Sequence, residues 1–203
     1  MKFQSLDGFR GIAAVMVVLY HSRFHAEPSA VALVKNSYLF VDFFFILSGF
    51  IMTHAYWDRI GKTVSFKRFF ILRVGRLYPL HLFMLLAWLP YIGAKAYVYS
   101  QGIGGTDPLI LNNASTFIAN LFLAQSLGFY DLASLFSWNF PSWSISAEFY
   151  TYLVFFASAL IILARKKILK VVLGLFLLGF FLLSLSDTGE RFRIFGECLI
   201  LFF

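Results

Sequence analysis

Apolar residues run through this chain in blocks of about 17 to 22, separated by shorter polar and basic stretches. Blocks at 6–22, 38–57, 77–94, 143–164 and 168–186, with one more opening near 194, reach or approach the ~20 residues a helix needs to cross a bilayer. Strand-like alternation at ten-residue spacing, which an outer-membrane barrel requires, does not recur. The pattern predicts an all-α polytopic transmembrane helical bundle, with about six spans in a single domain over residues 1–203. Segment 114–130, ASTFIANLFLAQSLGFY, is the ambiguous one, because it is apolar but short and interrupted by Asn120, Gln125 and Gly128. The closing ECLILFF stops about 10 residues into a run, which predicts a chain incomplete at its C-terminus.

Composition narrows this picture. Hydrophobic residues make up 60% of the chain, 27 of its 203 residues are Phe, and the mean hydropathy is +0.79, which does not fit a soluble surface. A net charge of +7 would suggest nucleic acid in a soluble protein, but here the basic residues flank apolar blocks and orient them. If 114–130 does not cross, one side collects Lys2, Arg10, Arg59, Lys62, Lys67, Arg68, Arg73, Arg76, Arg165, Lys166, Lys167 and Lys170, twelve of the 17 basic residues. If it crosses, the imbalance shrinks. The positive-inside rule therefore favours a segment that does not cross and an N-terminus in the cytoplasm. No small-residue cleavage site follows the first block, so it reads as an uncleaved span. The lone Cys198 excludes an intrachain disulfide and reads as packing.

Against this apolar background, a few ionisable residues stand out. Arg10 and His21 bracket one helix, roughly 16 Å apart along its axis, and an ionisable group within a span needs a partner, a cavity or a function. The bland alternative has Arg10 snorkelling to headgroups and His21 marking the far interface. In FVDFFFILSGF, Asp42 falls at a depth similar to that of His21, where a carboxylate could orient an imidazole acting as general base or else pair with Arg23. Ser48 and Gly49 there suit close helix packing.

Residues 66–81, FKRFFILRVGRLYPLH, form a cationic amphipathic stretch suited to lie on anionic lipid. Within it Arg73 and Arg76, three apart, could share a helix face and grip a phosphate-bearing ligand. SWSISAEFY, 142–150, reads as a helix start capped by Ser142 or Ser144. There Trp143, Ser146 and Glu148 combine an aromatic platform, a hydroxyl and a carboxylate suited to a sugar, although Glu148 could simply complement the helix dipole. His21 and His25 have metal-ligand spacing, but no HExxH or cysteine completes a site, so no metal is expected. QGIGG, 101–105, matches no phosphate-binding fingerprint and reads as loop.

Taken in order, Arg10 and His21 at R-x10-H, FVDFFFILSGF, Arg73 and Arg76 before LYPL, and WSISAEFY resemble the acyltransferase 3 family of bacterial integral-membrane O-acyltransferases. The opening FQSLDGFRGIAA is similar to its exopolysaccharide-acetylating members, and FRIFGE after Arg191 to its next helix start. The resemblance implies a multi-pass bacterial inner-membrane enzyme of about ten helices, of which this chain supplies roughly the first half. It further implies transfer of an acyl group, acetyl in the exopolysaccharide-acetylating members, from cytoplasmic acyl-CoA to a carbohydrate hydroxyl at the outer face, with no bound cofactor. His21 and Arg10 would be essential, and Arg73 and Arg76 would lie near the acyl-CoA. Joining both readings, His21 acts as base or transient acyl carrier, Asp42 or Glu148 supports it, and Arg10, Arg73 and Arg76 hold phosphates. A transporter using the same His and acids as a proton relay is the competing class, and an inactive partial bundle is a third.

Overall fold

The computed structural model describes residues 4–22, 32–129 and 133–163, together with scattered positions between 167 and 178. Regular structure among them is helical. In chain order it comprises α1 (Gln4–His21), α2 (Ala32–Lys35), α3 (Leu39–Tyr56), α4 (Phe66–Ser100), α5 (Ala114–Leu121) and α6 (Trp143–Leu163), with single 3-10 turns at Ser134–Phe136 and Phe140–Ser142. Three helical stretches, Leu39–Tyr56, Phe66–Ser100 and Phe140–Leu163, are long and apolar enough to cross a membrane. The apolar part of α1, Gly8–His21, is shorter. The predicted blocks at 168–186 and beyond 194 lie outside the described helices.

Two units emerge, residues up to His54 and residues from Ala55, with α3 straddling the border. In the first unit, Tyr20 near the end of α1 meets Tyr38 in the turn before α3, ring centroids 5.9 Å apart. Gly49 is buried in α3, as a packing role for it requires.

In the second unit α4 and α6 run antiparallel. Phe66 and Phe69 pack on Phe156, and Phe70 packs on Phe149, with centroids 4.9–5.9 Å apart. The tight loop between α3 and α4 holds Gly61 at φ 73, and a Cβ there would stand 3.4 Å from Leu160 Cδ2. This loop and the C-terminal end of α6 therefore sit at the same end of the unit. Expectation and structure part at α4. The sequence suggests an interfacial stretch over 66–81 and a separate span over 77–94, but one continuous 35-residue helix covers both, with Pro79 and Pro90 inside it. At 1.5 Å per residue it is about 52 Å long, well beyond a ~30 Å hydrocarbon core. Ile71, Leu72, Leu80, Phe83, Leu86 and Leu89 face outward along it, a surface that lipid can cover.

Segment 114–130 holds only the eight-residue α5, followed by turns, too short to cross a bilayer. Non-helical backbone beside spanning helices must be hydrogen-bonded by protein, because hydrocarbon supplies no partner. Side chains provide this here. The carbonyls of Leu121, Phe122 and Leu123 accept from Tyr78 Oη, Tyr150 Oη and Ser146 Oγ. His81 Nε2 donates to the Asn120 carbonyl at 2.8 Å, and the Asn120 side chain engages Thr116, Ser137 and Ser142. Leu123 and Trp138 adopt left-handed φ of 56 and 60, a strain of about 1–3 kcal/mol each that these bonds, and those of Trp138 to Asn112 and Thr116, hold in place. Leu85, Ile92 and Trp138 form the apolar core behind this segment.

Candidate active site

In the first unit, α1 carries Arg10 partly buried and His21 exposed in its last turn. Helical spacing separates them by roughly 16 Å. The edge-on Tyr20 and His21 rings, 5.3 Å apart, and the Tyr20–Tyr38 contact set His21 at the end of the unit where α3 begins. Asp42, partly buried in the first turn of α3, is four residues beyond Tyr38. His21 and Asp42 thus occupy the same end, and Arg10 the other. Arg23 and His25, the alternative partners considered from the sequence, lie outside the described residues.

In the second unit the arginine pair divides. Arg73 is buried, 8% exposed, whereas Arg76 is exposed. The Arg73 guanidinium stacks against three rings, with its carbon 5.2 Å from the Tyr56 centroid, 5.3 Å from Tyr152 and 5.7 Å from Phe69. Nη2 donates to Tyr56 Oη at 2.8 Å. Two forks side by side on one accessible face, the arrangement expected from the spacing, are not what forms. Arg73 is locked into an aromatic box, and Arg76 is the arginine open to an external anion.

Tyr152 forms one wall of that box, and its hydroxyl donates to Glu148 Oε1 one turn earlier on α6. Arg73, a member of the arginine pair, and Glu148, from WSISAEFY, are therefore linked through a single side chain. The sequence suggests that these two motifs lie near opposite membrane faces. Here they share a layer, because Tyr152 is nine residues into α6 and only about 6 Å along the axis from Glu148.

Trp143 opens α6 partly buried. Ser146 is fully buried, and its hydroxyl engages Ser126 Oγ at 2.6 Å, the Ser126 N–H at 3.2 Å and the Leu123 carbonyl. With those bonds made, Ser146 ties α6 to the loop after α5. Ser142 and Ser144 donate back to the carbonyls of Asn139 and Pro141. Residues 101–105 form turns, with Gly102 and Gly104 at positive φ, as the loop reading requires.

Sequence reasoning missed Tyr56, Tyr152, His81 and Asn120. The i, i+4 relation of Glu148 and Tyr152 was legible and could have flagged that pair. Nothing local could have brought Tyr56 to Arg73.

A family model described as Acyltransferase domain matches residues 3–199. Among characterised relatives, the chain is 39% identical over 93 residues to "Protein 2 in picA locus" of Rhizobium radiobacter, covering 44% of this chain and 46% of the relative. It is 30% identical over 190 residues to Peptidoglycan O-acetyltransferase OatA of Listeria monocytogenes, 86% of this chain and 28% of the relative. Acyltransferase MdmB of Streptomyces mycarofaciens is 31% identical over 162 residues, 76% and 38% of the two chains. The chain spans less than half the length of each of these three relatives. No solved structure matches it.

Proposed function

Because this chain belongs to the acyltransferase-domain family, we propose that it is a membrane O-acyltransferase moving an acyl group, acetyl in the simplest case, from cytoplasmic acyl-CoA to a hydroxyl of a cell-surface or exported carbohydrate. The Listeria relative, a peptidoglycan O-acetyltransferase, supports both the acetyl group and a glycan acceptor. The structural observation that carries the reading is the link from Arg73 through Tyr152 to Glu148. It sets the arginine pair, whose exposed member Arg76 can meet an anion, beside the carboxylate of WSISAEFY.

In the proposed reaction the acceptor hydroxyl gives its proton to His21 as the oxygen attacks the thioester carbonyl. The new C–O bond forms, the C–S bond breaks, and the proton passes from His21 to the departing CoA thiolate. Asp42, at the same end of the first unit, supports the imidazole. Arg10 and the exposed Arg76 offer charge to the donor's phosphates, Arg73 adds a buried positive charge, and Glu148 is the second carboxylate. Trp143 contributes an apolar platform for the acceptor. Bacterial inner membrane, with the N-terminus in the cytoplasm, is the setting this reaction requires.

The test is to supply membranes expressing the natural gene with acetyl-CoA labelled in the acetyl group. Label in alkali-labile ester on the glycan fraction, with CoA released in equal amount, supports the reading. Solute uptake without CoA release would overturn it in favour of the transporter.

A further inference from the structure

Tyr152 makes two contacts that join the α4 arginine to the α6 carboxylate. Its ring takes the Arg73 guanidinium at 5.3 Å from the α4 side, and its hydroxyl donates to Glu148 Oε1 on its own helix. The residue is 1% exposed, so neither contact competes with water, and both are strengthened by the low dielectric around them. Tyr56 closes the other side, accepting from Arg73 Nη2 and presenting its ring at 5.2 Å, and its ring stands edge-on to Phe69 at 5.3 Å. A Glu side chain alone has several rotamers of similar energy, and a buried donor aimed at one oxygen selects among them. Three rings crowd the guanidinium, their centroids 5.2–5.7 Å from its carbon.

We infer that Tyr152 is a positioning residue for acyl transfer, setting the Glu148 carboxylate through its hydroxyl while its ring fixes the charge of Arg73. This assignment rests on the acyl-transfer reading above. Tyr152 touches neither donor nor acceptor and acts through Glu148. Its two functions are separable by chemistry: phenylalanine keeps the ring and the stack on Arg73 but loses the hydroxyl.

The experiment measures kcat and KM for acetyl-CoA, per folded protein, in membranes expressing the natural gene. Tyr152→Phe lowers kcat about 10- to 100-fold, the usual effect of losing a residue that orients a reacting group, and leaves KM for acetyl-CoA within about two-fold. Glu148→Asp, whose shorter carboxylate withdraws from the hydroxyl, also lowers kcat, and adding Tyr152→Phe to it has no further effect. Full kcat in Tyr152→Phe overturns the assignment, as do losses that multiply in the double variant, because a residue that only packs would do one or the other. Absence of acetyl transfer by the unmodified protein overturns the reaction itself and this role with it. Transfer that is present but indifferent to Tyr152 overturns the role alone.

Discussion

A guanidinium packed among three aromatic rings and one that lies open on the same helix cannot do the same work, although Arg73 and Arg76 look alike in the sequence. Replacing Arg73 with Lys keeps the charge but loses the planar stack and the fork that meets Tyr56. It should cost about 1–2 kcal/mol, seen as a lower unfolding temperature in detergent. Arg76→Met should leave that temperature unchanged while raising KM for the acyl donor several-fold, because only a contact to an external anion is lost. Equal loss of stability in the two variants would contradict the division between them. His21 permits a sharper test. Glutamine keeps hydrogen bonding and similar size but has no basicity near neutral pH, so His21→Gln should accumulate normally and lose 10²- to 10⁴-fold in rate. Arg10→Lys should insert equally well and transfer acyl groups severely more slowly. Near-normal transfer by His21→Gln at equal protein level would leave α1 as an anchor.

Between the helices, the segment from α5 to α6 depends on side chains to supply the hydrogen bonds that hydrocarbon cannot. Ser146 takes part in three of them. Ser146→Ala leaves the Leu123 carbonyl and the Ser126 N–H and hydroxyl short of a buried partner, at about 1–3 kcal/mol for each unsatisfied group. The expected outcome is a clear fall in unfolding temperature, with KM for a glycan acceptor unchanged in the protein that remains folded. A variant of normal stability with weakened acceptor binding would restore Ser146 to a ligand-contacting role. The apolar periodicity of α3 and α6 was readable in advance to within a residue or two, because burial or lipid acts on every turn of a long helix. The length of α4 was not, because its basic N-terminal stretch reads as an interface helix until Phe69 and Arg73 are seen packed against Phe156 and Tyr152.

At the scale of the molecule, three helices among the described residues that are long and apolar enough to span, and an acyltransferase-domain match over residues 3–199, make this a membrane protein of that family. The antiparallel packing of α4 and α6 sets the loop at 57–65 and the C-terminal end of α6 at one end, so the positive-inside rule puts both on the cytoplasmic side. With Cys198 replaced, cysteines at Lys62 and Lys167 should both resist an impermeant thiol reagent on intact cells, and one at Gly104, beyond the far end of α4, should react. Opposite labelling of Lys62 and Lys167 would mean that a further segment crosses between them. What the amino-acid sequence determined by itself was the class of fold, the sidedness its charges favour and which ionisable side chains are candidates for chemistry, because hydropathy, charge and basicity belong to residues singly or to a helix period. Which of those side chains meet was decided only by tertiary structure. Arg73, Tyr56, Tyr152 and Glu148 come from three helices, and their association follows from ring packing around the buried Arg73 and Tyr152, which no periodicity along a single helix encodes.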